Sequence, residues 1–527
     1  MGGTAEVDFS LLSLIRGQKL FFIVKSPDSC HTDQTKQRKE PLIYPDCDEI
    51  VKLAKDYDII PVCKEIYADV ITPITLLRKL SGISKRYYLL ESIEGGEKWG
   101  RYSFLGYDPV MRVFCKNSTV TIENGEETET RQTDRPLDVL RDIMKHYRAP
   151  RLTGLPPFAG GFVGYFAYAM IGYAEPTLHI KKGNFNDYDM MLFDKVIAYD
   201  HLTQKISIIV NMKTDHVMEN YGKAAADIQN IINLIRTAPT PEIPVSPSKI
   251  NFTCNVTKEE YCRLIDRTKE YIVDGDIFQA VISRQFTTPY EGSLINPYRV
   301  LRTTNPSPYM VYLSIDGEEI MSTSPETLVR LENGRLTTFP VAGSRPRGAT
   351  QAEDEALEAD LLSDEKELSE HNMLVDLGRN DLGRISDFDS VEVTRYMMIH
   401  RYSKIMHICS QVESNIRSDC DGLSAIESVL PAGTLSGAPK IRACEIIEEL
   451  ESEQRGIYGG ALGYLDFTGN LDTCIAIRMA VKKDGKVYVQ AGGGIVADSI
   501  PENEYMESYN KALAVMNAVK NAKEVLD

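Results

Sequence analysis

The chain of 527 residues is longer than one ordinary domain, because single cores stop growing at roughly 250–300 residues. Its 43% hydrophobic and 26% charged content is that of a globular protein, and 59 basic against 76 acidic side chains, a net charge of −17, oppose binding to a phosphate backbone. Ten cysteines, at 30, 47, 63, 115, 254, 262, 409, 420, 444 and 474, show neither a CxxC pair nor zinc-like spacing, and read as reduced thiols of a cytoplasmic protein.

The apolar stretch 11–24 is broken by Arg16 and Lys19, so it offers no clean signal-peptide core or membrane span. Residues 1–48 read as a lead-in of unclear role, with ordered structure expected from Glu49. Strands are predicted at 87–90 and 205–210 and a helix at 136–146, which makes the first half mixed α and β. The segment 237–248 carries four prolines in twelve residues, which blocks regular pairing, so 237–250 is predicted to be a linker between domains at 49–236 and 251–527. Beyond it, predicted strands at 310–314, 462–467 and 487–490 alternate with helical runs at 364–377, 441–450 and 502–519.

Two of these helices carry paired carboxylates. Glu367 and Glu370 are three residues apart and so share a helix face; Glu504 and Glu507 repeat the spacing, with Lys511 one turn later. Two such pairs can share one hard cation, since Mg²⁺ takes about six oxygen ligands and retains some waters. Either pair alone reads as an ordinary solvated face. Before the second pair stand Gly492, Gly493 and Gly494, where backbone N–H groups can approach an anion unobstructed, although a glycine run is also a common tight turn. Thr434, in a loop of small residues, suits either a ligand donor or a helix cap. His407 and Arg478 sit among apolar neighbours, where a core histidine and a structural ion pair remain the plain alternatives.

Seven ordered blocks, SPETLVRL, FPVAGSRPRG, EKELSEHNMLVDLGRNDLGRI, PAGTLSGAPK, RGIYGGALGYLD, AGGGIVADS and PENEYMESYNK, closely resemble the chorismate-using enzymes, the family of anthranilate, aminodeoxychorismate, isochorismate and salicylate synthases. The match runs from about Thr257 to Lys511. The resemblance implies an α+β fold with two orthogonally packed antiparallel sheets, a sandwich-like core flanked by helices. It also implies Mg²⁺ held among Glu367, Glu370, Glu504 and Glu507, and a chorismate pocket formed by Tyr458, Arg478, Gly492, Gly493, Gly494, Lys511 and Ser344. Glu326 would be the acid that protonates the departing C4 hydroxyl, with His407 assisting the later elimination and Thr434 in the same pocket.

Within the family, Ala342 discriminates. Aminodeoxychorismate synthases of the familiar type carry a nucleophilic lysine there, so alanine favours direct attack by ammonia and anthranilate as product, in a large, chorismate-binding subunit of tryptophan biosynthesis. The alternative is an aminodeoxychorismate-forming subunit of the folate pathway. The resemblance further implies that 49–236 is a regulatory domain and that Glu91, Ser92, Pro308, Tyr309, Met310 and Cys474 form a pocket for L-tryptophan as feedback inhibitor; the plain alternative is ordinary sheet and turn. No cysteine lies in a Gly-x-Cys-x-Gly setting, so ammonia is expected from a separate glutamine amidotransferase subunit.

Overall fold

The run from Tyr87 to Leu90 is apolar on both faces of a strand, and a strand of that kind needs cover on both sides. In the computed structural model, which describes residues 43–69, 71–92, 100–181, 183–246, 249–402 and 405–525, it forms the strand Arg86–Glu91 and its alternate residues enter different cores. Tyr87 and Leu89 face helices Pro73–Ser81, Val217–Thr237, Ile295–Thr304 and Pro501–Asn521, while Tyr88 and Leu90 face a second sheet through Tyr165, Met191 and Leu462. The far side of that second sheet packs Val113, Phe162 and Val412 against helices Pro136–Met144 and Gly422–Val429. The layers therefore run helices, sheet, sheet, helices, as expected of an α+β sandwich-like core.

Among the described residues each sheet has 12 strands, paired antiparallel. The expected division at 237–250 is not a division of the core. In the first sheet Arg86–Glu91 pairs with Tyr309–Ile315, and in the second Gly161–Phe166 pairs with Ala461–Asp466, so strands from both halves interleave. Pro239, Pro241 and Pro244 stand in a stretch without regular structure, but pairing across it binds its flanks into one unit that begins at residue 43. The lead-in lies outside the described residues up to 42; its end already contains the helix Cys47–Leu53, capped by the Asp46 side chain. Among the described residues no helix is long and apolar enough to cross a membrane, and Cys63, Cys115, Cys409, Cys444 and Cys474 are buried free thiols.

Two helices carry the paired carboxylates. Glu365–Gly383 starts where the Asp364 side chain accepts from the amides of Lys366 and Glu367, satisfying donors that the first turn leaves open. Pro501–Asn521 has proline at its start and buries Ala512, Val515, Met516 and Val519. Burial of such a Val or Met side chain is worth roughly 1.5–3 kcal/mol, enough to fix the helix rotation. That rotation leaves Glu504, Glu507 and Lys511 lining a cavity.

Candidate active site

A cavity of about 1010 Å³ opens beside the first sheet and gathers most of the predicted site: Glu326, Ser344, Glu367, Glu370, His407, Thr434, Tyr458, Arg478, Gly492, Gly494, Glu504, Glu507 and Lys511. Ala342 lines it as well. Gly493 is the sequence neighbour that turns its alpha carbon toward the carboxylates, and a Cβ there would stand 3.0 Å from Glu504 Oε2.

The glycines lie within the strand Lys486–Ile495, not in a bend. Gly492, Gly493 and Gly494 pair with Ser283, Ile282 and Val281 of the strand Gln279–Pro289. Close approach is what demands them: a Cβ at Gly492 would come within 2.4 Å of the Ile282 carbonyl oxygen, and one at Gly494 within 2.2 Å of Gln279 Nε2. On the other side, the neighbouring strand Met479–Lys483 pairs only as far as Val489. Beyond that point alternate backbone amides of the glycine stretch are directed away from Gln279–Pro289, toward the cavity edge.

Glu326 follows the strand Glu318–Ser324, and its carbonyl accepts from the Ile475 amide. Its carboxylate accepts a 3.0 Å hydrogen bond from the Thr434 hydroxyl. Removal from solvent pushes its pKa up, against the opposing pull of that bond and of Lys511 and Arg478. Thr434 sits in the short 3₁₀ turn Gly433–Leu435 and caps no helix; its hydroxyl serves the acid.

His407 lies on the strand Ile405–Asn415, where its Nδ1 is 2.9 Å from the Gly343 carbonyl oxygen. A carbonyl only accepts, so Nδ1 carries the proton and Nε2 keeps a lone pair. Burial lowers its pKa and keeps the ring neutral. Gly343 has φ of +66° at a register shift between Ala342 and Ser344, a left-handed position that glycine accepts without strain.

The carboxylates converge on this cavity, but their side chains do not close on a common point. Among the described residues no three His, Cys, Asp or Glu side chains are placed to hold an ion. Lys511 Nζ pairs with Glu507 at 2.7 Å, the Ser499 hydroxyl donates to Glu504, and Arg345 is 3.5 Å from Glu367. Burial raises the pKa of Glu367, Glu370 and Glu504, and negative neighbours add to it: Asp364 at Glu367, Glu367 and Glu507 at Glu370, and Glu507 at Glu504. Mutually repelling oxygen donors of this kind are the chemistry a hard divalent cation relieves.

Arg478 donates to the Lys511 carbonyl at 3.0 Å, on the helix that also carries Glu504 and Glu507, and forms no ion pair among the described residues. Burial lowers its pKa. Tyr458 is buried with the Gly492 amide at its hydroxyl. A guanidinium and a phenol in one pocket can hold a carboxylate.

Gln279 carries no motif and was not predicted. It lines the cavity at 3% exposure, with its Oε1 unpartnered among the described residues. The available signal was a lone amide at the head of the apolar run Gln-Ala-Val-Ile.

The residues assigned to an inhibitor pocket lie mostly together. Glu91 is directly opposite Met310 in paired strands, and Leu90, Cys474 and Tyr309 share one apolar cluster. Glu91 is buried and accepts from Arg302 twice at 3.0 Å and from the Tyr298 hydroxyl at 2.9 Å. The Ser92 hydroxyl is buried without a partner among the described residues, and Pro308 lines the large cavity itself.

Residues 86–517 match the family described as chorismate binding enzyme. Among curated relatives, anthranilate synthase component 1 of Acetivibrio thermocellus is 48% identical over 496 residues, covering 92% of this chain and 100% of the relative. Its counterpart in Aquifex aeolicus strain VF5 is 44% identical, covering 90% and 98%. Among solved structures, anthranilate synthase component I from Streptococcus pneumoniae superposes with a TM-score of 0.72 at 35% identity, over 86% of this chain and 99% of that one. The menaquinone-specific isochorismate synthase MenF of Escherichia coli, at 17% identity and a TM-score of 0.65 over 90% and 98%, shares the fold.

Proposed function

The chain belongs to the family of chorismate binding enzymes, and from that premise we propose that it is the large subunit of an anthranilate synthase, converting chorismate and ammonia to anthranilate, pyruvate and water. The observation that carries the reading is one cavity lined by a burial-raised carboxyl, Glu326, a neutral histidine, His407, a buried guanidinium and phenol, Arg478 and Tyr458, and an alanine in place of lysine at position 342.

In this reading Arg478, Tyr458 and the glycine amides hold the enolpyruvyl carboxylate. Ammonia adds at C2 while the ring double bonds shift and the C4 hydroxyl leaves as water, taking a proton from Glu326. Ala342 offers no competing nucleophile. In the second step the C2 proton departs with His407 Nε2 placed to assist, the bond from C3 to the enolpyruvyl oxygen breaks, and the ring becomes aromatic. Glu367, Glu370, Glu504 and Glu507 would hold Mg²⁺ once Lys511 releases Glu507, and the ion would polarise the ring carboxylate. Ammonia is supplied by a glutamine amidotransferase subunit. L-Tryptophan binds between Glu91, Ser92, Pro308, Tyr309, Met310 and Cys474 as feedback inhibitor, displacing Arg302 from Glu91; the wall that Pro308 shares with the large cavity supports this reading.

Purified chain given chorismate, Mg²⁺ and ammonium should develop anthranilate fluorescence without any added lyase, and tryptophan should suppress it. Accumulation of aminodeoxychorismate instead would place the chain in the other branch.

A further inference from the structure

Behind the floor of the cavity lies a guanidinium that none of the proposed chemical steps uses. Arg455 is 3% exposed and follows the helix Lys440–Leu450. It grips Glu451 with two bonds, Nε to Oε2 at 2.8 Å and Nη2 to Oε1 at 2.6 Å. Its other donors go to backbone: Nη1 to the Leu435 carbonyl and Nη2 to the Val281 carbonyl, both at 2.6 Å. Glu451 in turn accepts the amide and hydroxyl of Ser283 at 2.7 and 2.9 Å, and Gln490 Nε2 donates to that hydroxyl at 2.8 Å. The guanidinium stands 4.7 Å over the Tyr168 ring and 5.9 Å from that of Tyr458.

A buried ion pair of this sort is a poor device for stability, because an apolar pair of similar volume often does as well or better. A planar fork with every arm committed is, in contrast, a good device for geometry. What it fixes here is the residue after Thr434. The turn Gly433–Leu435 is held by Arg455 at the Leu435 carbonyl, while the Val281 amide donates to the Ser436 carbonyl at 2.8 Å. Thr434, directly before these two anchors, presents its hydroxyl to Glu326. We infer that Arg455, braced by Glu451, is a positioning residue for the reaction: it holds the 433–436 turn so that Thr434 aims the Glu326 carboxyl into the cavity.

The inference rests on the anthranilate-forming reading for its kinetic consequence but not for its structural one, and the test separates the two. R455K keeps the positive charge and cannot reproduce four directed bonds; E451Q keeps the shape and removes the bracing charge in case R455K does not fold. Amide hydrogen exchange across 433–436 should accelerate at least tenfold in both variants, with exchange in the remote strand Arg86–Glu91 unchanged. In turnover, R455K and T434V should each lower kcat by roughly ten- to a hundredfold, the scale of a misplaced catalytic group. The double variant should be no slower than the slower single one, because both act through Glu326. The groups facing Glu326 are Thr434, Lys511, Arg478 and Cys409, so loss of the Thr434 bond should move the high-pH limb of kcat/KM upward in R455K as in T434V. Unchanged exchange at 433–436, or losses that multiply in the double variant, would overturn the inference. A wild-type chain that makes no anthranilate while R455K still loosens the turn would sink the functional reading and leave Arg455 as the brace of that turn.

Discussion

Glu326→Gln separates the proposed acid from a merely structural carboxyl. Glutamine keeps the volume and an oxygen able to accept the Thr434 hydroxyl, the one hydrogen bond at this side chain's carboxylate among the described residues. It removes the transferable proton. A positioned general acid contributes typically 10²–10⁴-fold, so kcat should fall by that factor, about 2.7–5.5 kcal/mol of barrier. Stability should move the other way. The pKa of Glu326 is raised in the folded state by burial, so the folded protein holds this proton more tightly than the unfolded chain. That contribution is fully present below the ordinary carboxylate value of 4.5 and is lost as pH rises through the folded pKa. Above the folded pKa the wild type therefore carries a buried charge that the glutamine variant lacks, at about 1.4 kcal/mol for each unit by which the pKa is raised. The assay is initial rate by anthranilate fluorescence at saturating ammonium, with thermal unfolding at pH 8 and pH 4 alongside. The variant should be nearly inactive, at least as stable at pH 8, and should lose that advantage at pH 4. A variant within threefold of wild-type kcat would refute the acid role.

Gly493→Ala should leave unfolding unchanged and raise the Mg²⁺ concentration for half-maximal rate by about tenfold, since its Cβ would meet only the ends of Glu504 and Glu507. Gly492→Ala should instead lower stability by about 1–3 kcal/mol in denaturant unfolding, because the added carbon meets the backbone of Ile282 and Ser283. His407→Asn keeps a donor for the Gly343 carbonyl but no basic nitrogen, so pyruvate release should slow more than chorismate consumption in a coupled assay. Arg302→Ala strands the buried Glu91 carboxylate and should cost about 3–5 kcal/mol in thermal unfolding at neutral pH.

Elements were legible in the sequence where pattern is local. The strand around Tyr87–Leu90 and the acidic helices carry their periodicity in a few neighbouring residues. Pairing between strands far apart in the chain is not encoded that way, which is why the prolines near 240 suggested a boundary that the shared sheets abolish. The three glycines signalled close approach correctly and their backbone shape wrongly: absence of Cβ relieves a clash with Ile282 within a strand as readily as it permits a turn. Motif blocks located Glu326, Thr434 and Tyr458, and apolar settings singled out His407 and Arg478, yet Gln279 stands outside every block. Arg455 opens the block RGIYGGALGYLD four residues after Glu451, but its bonds to the Leu435 and Val281 carbonyls are set by the fold and carry no local pattern.

The central claim is that Glu367, Glu370, Glu504 and Glu507 serve a single divalent ion beside the glycine strand. Anomalous diffraction from crystals equilibrated with Mn²⁺ and chorismate's product tests it directly. The account expects one strong peak among these four carboxylates, with Lys511 withdrawn from Glu507. A peak elsewhere, or an intact Lys511–Glu507 pair with no peak at saturating metal, would contradict it.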